Sequence, residues 1–222
     1  MIGEAALGIW MDVHDAGLDD FNAWYRQQHL PERLSVPGFL RGRRYENTNG
    51  GPRYFTLYET LEAAVLSSAP YLERLNAPTE WTRRALPSVR RMVRNAYRRV
   101  ASTGPDAATA HLLTVRVQPH SGRGPYVRAS LLGDALGTLA PLGVAAAAVY
   151  ESETAATSVV TAERKIVGGD VTAAPPFLAL CELSTPAAAD PLTTHWRTWS
   201  TRLAADITTD LYRLLYGLQW IT

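Results

Sequence analysis

His29 closes a short run of rings. Phe21, Tyr25 and His29 recur every four residues in FNAWYRQQHL, the spacing that stacks side chains on one helical face. An imidazole with an ordinary pKa of about 6.5 gives and takes protons near neutrality. On the residues alone His29 has two readings. Either it satisfies the last carbonyls of a helix that Pro31 brings to its end, or it is the general acid/base of a pocket. Trp24 and Tyr25 divide in the same way between core and pocket wall. Tyr45 and Tyr58, on paired strands, are further pocket candidates. Asp12 and His14 alternate with Trp10 along the first strand and share its face. A buried Asp12 is costly unless paired, and an arginine partner is the alternative to a binding role. Arg41, Arg43, Arg44, Arg90, Arg91, Arg94, Arg98 and Arg99 fall on strands. Most are expected to be solvated or paired with acids such as Glu46 and Glu59. Arg44 is the one expected to clamp a carboxylate or stabilise an enolate.

Other chemistries find little support. The five histidines, at 14, 29, 111, 120 and 195, form no HxH, HxxxH or HExxH, so no metal site is expected. No GxGxxG or GxxxxGK[ST] occurs, and GRGPYV reads as lacking the strand-to-helix setting of a phosphate loop. Among the 22 basic residues only Lys165 is a lysine, so a Schiff base would need Lys165 or the terminal amine. Cys181 is the single cysteine. It lies in the apolar FLALCEL and reads as a buried, inert thiol. A net charge of +1 gives no electrostatic basis for nucleic acid or an acidic membrane. MIGEAALGIW lacks the basic flank and long apolar core of a signal peptide, and GVAAAAVY is far shorter than a membrane span. A cytoplasmic location with neither nucleic-acid nor membrane partner is the expectation.

The elements that must hold these residues repeat. Strands are expected at 6–13, 39–47, 53–60 and 89–101, with Asn49-Gly50-Gly51-Pro52 turning the central hairpin. Helices are expected after Phe21, at 61–68 and at 79–86, giving βαββαβ. STGPDAATA (102–110) reads as a linker. Strands at 111–118, 143–152, 176–184 and 211–221 and helices at 130–140 and 191–207 give βαββαβ again, with 152–170 left as an insertion. Trp81 precedes Tyr97-Arg98 by sixteen residues, and Trp196 precedes Tyr212-Arg213 by the same sixteen. FTLYET answers LALCEL, setting Glu59 opposite Glu182. A four-stranded sheet with helices on one face leaves the other bare, so two such units must pack together. The expectation is an α+β fold of two tandem ferredoxin-like domains, 1–101 and 111–222, joined by 102–110 into an intrachain pseudo-dimeric barrel and therefore monomeric.

FNAWYRQQHLPERLSVPGFLRGRRY followed by RYFTLYET resembles the dimeric α+β barrel superfamily, closest to its EthD-like branch, over about 100 residues. The second half resembles it only in element order. The superfamily includes polyketide cyclases, muconolactone-type isomerases, cofactor-free monooxygenases and haem enzymes, so the resemblance implies a fold and not one reaction. It does imply a pocket between sheet and helices, and it favours the functional reading of His29. The activity expected is a cofactor-independent cyclase, isomerase or lyase for a hydrophobic, aromatic or polyketide-like molecule. His29 would be the general acid/base, Tyr25 and Tyr45 would position an oxygen, and Phe21 and Trp24 would exclude water. The alternatives are a cofactor-free monooxygenase, a haem protein using His195, and a non-catalytic carrier. Aligning the halves sets Ala135 near the place of His29, so the working pocket is expected in the first half, with the second as scaffold.

Overall fold

A computed structural model describes residues 1–106, 108–153, 160–167 and 171–219. In strand β1 (Ala5–Val13), Leu7, Ile9, Met11 and Val13 belong to one core and Ala6 and Trp10 to another, and all six are buried. A strand with two buried faces needs cover on both. The rest of the chain supplies it.

Strands β2 (Phe39–Asn47), β3 (Tyr54–Thr60) and β4 (Val89–Thr103) join β1 in the antiparallel order β4-β1-β3-β2. In the second half, β5 (His111–Pro119), β6 (Val144–Ser152), β8 (Phe177–Leu183) and β9 (Ala205–Gln219) repeat it as β9-β5-β8-β6. A short β7 (Thr172–Ala173) runs parallel to β4. The last strand of each half is 15 residues long and pairs with the second strand of the other half: β4 with β6, β9 with β2. The two sheets therefore face one another and are also hydrogen-bonded along both edges. They form a closed antiparallel barrel in which each of these eight strands is paired on both sides. Two ferredoxin-like units thus build one pseudo-dimeric α+β barrel within a chain.

Outside the barrel, the first half carries α1 (Leu18–Trp24), a π-helical turn (Tyr25–His29), α2 (Leu30–Leu34), α3 (Ala69–Asn76) and α4 (Glu80–Ala85). The second carries α5 (Gly124–Leu132), α6 (Asp134–Gly137), α7 (Ala162–Val167) and α8 (Ala189–Leu203). Several boundaries differ from the sequence reading. The helix expected at 130–140 starts at Gly124 with Pro125 in its first turn, so GRGPYV does lie between a strand and a helix. Residues 61–68 hold a 3-10 turn at Ala63–Ser67, and the helix follows it. The closing strand starts at Ala205 rather than 211, because Ala204 adopts φ 52° and turns the chain directly from α8 into β9. In the expected insertion, 154–159 and 168–170 lie outside the described residues, as do 220–222 of the last expected strand.

The barrel interior shows the duplication. Tyr97 and Tyr212 are both 0% exposed, and their hydroxyls donate to the carbonyls of Pro175 (3.2 Å) and Pro52 (3.1 Å). Glu59 and Glu182 also occupy matching sites, both fully buried. Arg41 donates from Nε to Glu59 at 2.6 Å. Arg43 donates to Glu59 at 3.3 Å and also to Glu182 in the other half. The pairing of strand arginines with Glu59 matches the sequence reading, but their burial does not. Arg41, Arg43 and Arg44 are 5%, 1% and 0% exposed, because both faces of β2 are covered.

Candidate active site

Pro31 shapes the helix that precedes it. Having no N–H, it cannot bond back to Gln27, and its ring crowds the carbonyl four residues earlier. The chain widens there into the π-helical turn, in which the Leu30 N–H donates to the Tyr25 carbonyl. Such single wide turns recur at functional sites. This one buries Tyr25 and His29 together, with ring centroids 4.8 Å apart, and Trp24 packs against both, 4.3 Å from His29 and 5.6 Å from Tyr25. Trp24 is fixed in turn by an Nε1 hydrogen bond to Thr82 Oγ1 at 3.2 Å.

Between these helices and the outer face of the first sheet lies a cavity of about 80 Å³. Phe21, Trp24, Tyr25, His29 and Tyr58 all line it, within mostly apolar walls that include Ile9, Met11, Leu75 and Met92. Several further lining residues escaped the sequence reading, Arg33, Tyr71 and Glu163 among them. Arg33 was visible as the residue four beyond His29, one turn along the same face. Glu163 carried no signal, because it sits on α7 in the second half and reaches the pocket only through the fold.

The Tyr25 hydroxyl donates to Thr56 Oγ1 at 2.9 Å and pairs with the Tyr58 hydroxyl at 3.2 Å. Burial pushes both phenols up, so they stay protonated. Arg33 donates from NH2 to Glu163, both side chains being nearly buried, while its NH1 is buried without a partner among the described residues. His29 Nδ1 is likewise buried without a partner, and no side-chain bond caps the helix there. Burial first, and then the charges of Arg33 and Arg44, hold the His29 imidazole well below its ordinary pKa. It is neutral at pH 7.

That depression has a consequence for stability. The unfolded chain takes up a proton at His29 near pH 6.5 and the folded chain does not, so stability is lost as pH falls below about 6.5. We expect thermal melts of the wild type to lose stability relative to His29→Gln between pH 7.5 and 5.5, by at most about 1.4 kcal/mol per pH unit. Parallel pH profiles for the two proteins would contradict it.

Four other candidates lie elsewhere. Tyr45 points into the barrel, its ring 5.7 Å from the Arg43 guanidinium, so a strand separates it from His29. Asp12 pairs with Arg91 at 2.7 Å and accepts from the Arg53 N–H at 2.9 Å, which is the structural alternative. His14 is exposed, and its Nδ1 caps a turn by accepting from the Ala16 N–H at 3.3 Å. Arg44 does not line the cavity. It is clamped between the faces of Tyr25 (4.1 Å) and Tyr54 (4.3 Å) and donates to Asn22 Oδ1 at 2.9 Å. It acts on the site as a charge behind the Tyr25 ring.

In the second half Trp196 (0% exposed) and Trp199 (4%) fill the space between α8 and the sheet, and Ala135 is buried nearby. His195 turns aside to a groove lined also by Ala135, Thr138, Trp199 and Arg202, with Nε2 3.5 Å from Thr138 Oγ1. A haem placed between α8 and the sheet would have to displace these two indoles.

No protein-family model and no curated protein matches the chain. Among solved structures it is similar to an anthrone oxidase-like protein, with 12% identity and TM-score 0.59 over 97% of this chain and 92% of that one. It is similar to a candidate monooxygenase from Fusobacterium nucleatum, with 7% identity and TM-score 0.60 over 99% and 96%. A chlorite dismutase variant from Candidatus Nitrospira defluvii, solved with cyanide, matches with 8% identity and TM-score 0.56 over 97% and 92%. At these identities the likeness is one of fold, and the fold is the dimeric α+β barrel.

Proposed function

We propose that the chain is a cofactor-independent enzyme that takes a proton from carbon next to a carbonyl in a hydrophobic, aromatic or polyketide-like substrate. Cyclisation, isomerisation and elimination can all begin with that step. The observation that carries the reading is the neutral His29 imidazole, with no hydrogen bond among the described residues, in the wall of a mostly apolar cavity beside a buried guanidinium. A buried polar atom left unpaired costs about 1–3 kcal/mol, and a ligand group would supply the missing bond. Neutral imidazole is the form that accepts a proton, so His29 acts first as base and as acid only afterwards. The charges that weaken it as a base also stabilise the enolate it produces.

The cavity is about half the size of the engineered 150 Å³ cavity that admits benzene. Even a one-ring substrate therefore has to displace a wall, and α7 is the wall that is not part of the barrel or of the first half's own helices. In D2O under nitrogen, 2-tetralone is expected to incorporate deuterium at C1 faster with the protein than without it. The acceleration should vanish in His29→Gln, and equal acceleration by both proteins would sink the reading.

The likeness to anthrone oxidase-like and monooxygenase structures favours a second reading built on the same first step. The carbanion would pass electrons to O2, as in anthrone plus O2 giving anthraquinone plus water. One O2 consumed per anthrone in an oxygen-electrode assay, lost in His29→Gln, selects this reading. Exchange without consumption selects the first.

A further inference from the structure

The two buried charges of the cavity come from different halves of the chain. Arg33, on α2, is 2% exposed, and its NH2 donates to Glu163 Oε1 on α7. Its NH1 is buried and has no partner among the described residues. The Tyr25 and Tyr58 hydroxyls are occupied with one another and with Thr56. NH1 is therefore the guanidinium donor left for a ligand oxygen, on the same helical run as the His29 ring. Arg94 and Arg164 also line the cavity but are only half-buried, where water screens them.

We propose that Glu163 sets the charge preference of the site. By pairing with Arg33 it neutralises the buried guanidinium and leaves NH1 to a neutral oxygen, so the site takes an uncharged enolisable ketone or phenol and rejects a carboxylate. The inference rests on the catalytic reading above. A carboxylate would place a second anion on a guanidinium that already holds one, in a medium where like charges repel strongly. A neutral carbonyl accepts a bond from NH1 at no such cost. Charge then appears only when the proton moves from substrate carbon to His29, which leaves an imidazolium beside an enolate. Glu163 touches Arg33 and is a positioning residue. The second half thus contributes to the site and is not scaffold alone.

Binding of acetophenone and of benzoate, followed by NMR titration at pH 7.5, tests this on the intact chain. The wild type should bind acetophenone more tightly than benzoate. Glu163→Gln should gain about ten-fold or more for benzoate relative to acetophenone, the scale of one released charge pairing. The double variant Arg33→Met/Glu163→Met replaces a buried pair by apolar groups, an exchange that proteins often tolerate. It should weaken acetophenone and show no gain for benzoate. An unchanged preference between benzoate and acetophenone in Glu163→Gln, or undiminished acetophenone affinity in the double variant, overturns this inference and leaves the catalytic reading standing. Failure of the wild type to bind either probe overturns both.

Discussion

His29→Ala is expected to slow deuterium exchange into 2-tetralone by about 10²–10⁴-fold, the range that general acid/base catalysis commonly supplies, with little loss of stability. Two terms oppose each other in the stability. Truncation removes a buried ring packed on Trp24 and Tyr25, and deleting a buried aromatic commonly costs about 3–5 kcal/mol. His29, however, already borders empty space and carries a buried nitrogen with no partner, so its removal also abolishes a desolvation penalty of about 1–3 kcal/mol. The circular-dichroism spectrum should be unchanged and the melting temperature only a few degrees lower. A sharp fall in melting temperature with near-wild-type exchange would make the ring a structural element, and the site would have to be sought elsewhere.

How far this site could be read from sequence depended on which faces were buried. The helix was legible because Phe21, Tyr25 and His29 stand on one side of it, and Pro31 marks where it changes form. The hairpin was legible in Asn49-Gly50, and the duplication in the paired Tyr97 and Tyr212. The faces of β2 were not. In a sheet with one wet face, polar residues mark the outside, but β2 has the barrel interior on one side and helices on the other. Tyr45 and Arg44 are adjacent, both 0% exposed, and nothing in FLRGRRYEN says which of them turns toward His29. Neither lines the cavity: Tyr45 faces the interior, and Arg44 is sealed behind Tyr25. Glu163 was hidden for another reason. A contact between residues 130 positions apart leaves no trace in local periodicity.

Arg43→Met is expected to destabilise the protein by about 3–5 kcal/mol, the cost of leaving a buried charge without its partner. Duplication set a glutamate at the same place in each half, but only the first half carries arginines against them. On β2, Arg41 lies opposite Glu59, and Arg43 is two residues further on. On β6, Ala146 lies opposite Glu182, and Ala148 is two residues further on. Arg43 therefore serves both carboxylates across the barrel. Burial works against the charged form of Glu59, yet Arg43 and then Arg41 hold its carboxyl below the ordinary range. Among the described residues, Glu182 keeps the Thr109 N–H (3.0 Å) and hydroxyl (2.8 Å) besides Arg43. Without Arg43, Glu59 keeps Arg41 while Glu182, 0% exposed, is left without a guanidinium among the described residues. Because the contact joins the two halves, chemical denaturation of Arg43→Met should show the loss as a lower midpoint. Adding Glu182→Gln removes the stranded charge, so the double variant should be more stable than Arg43→Met alone, and a double-mutant cycle measures that coupling. A cost below about 1 kcal/mol for Arg43→Met, within the range of an exposed ion pair, would mean that water reaches the barrel interior and that the pair is not the joint between the halves.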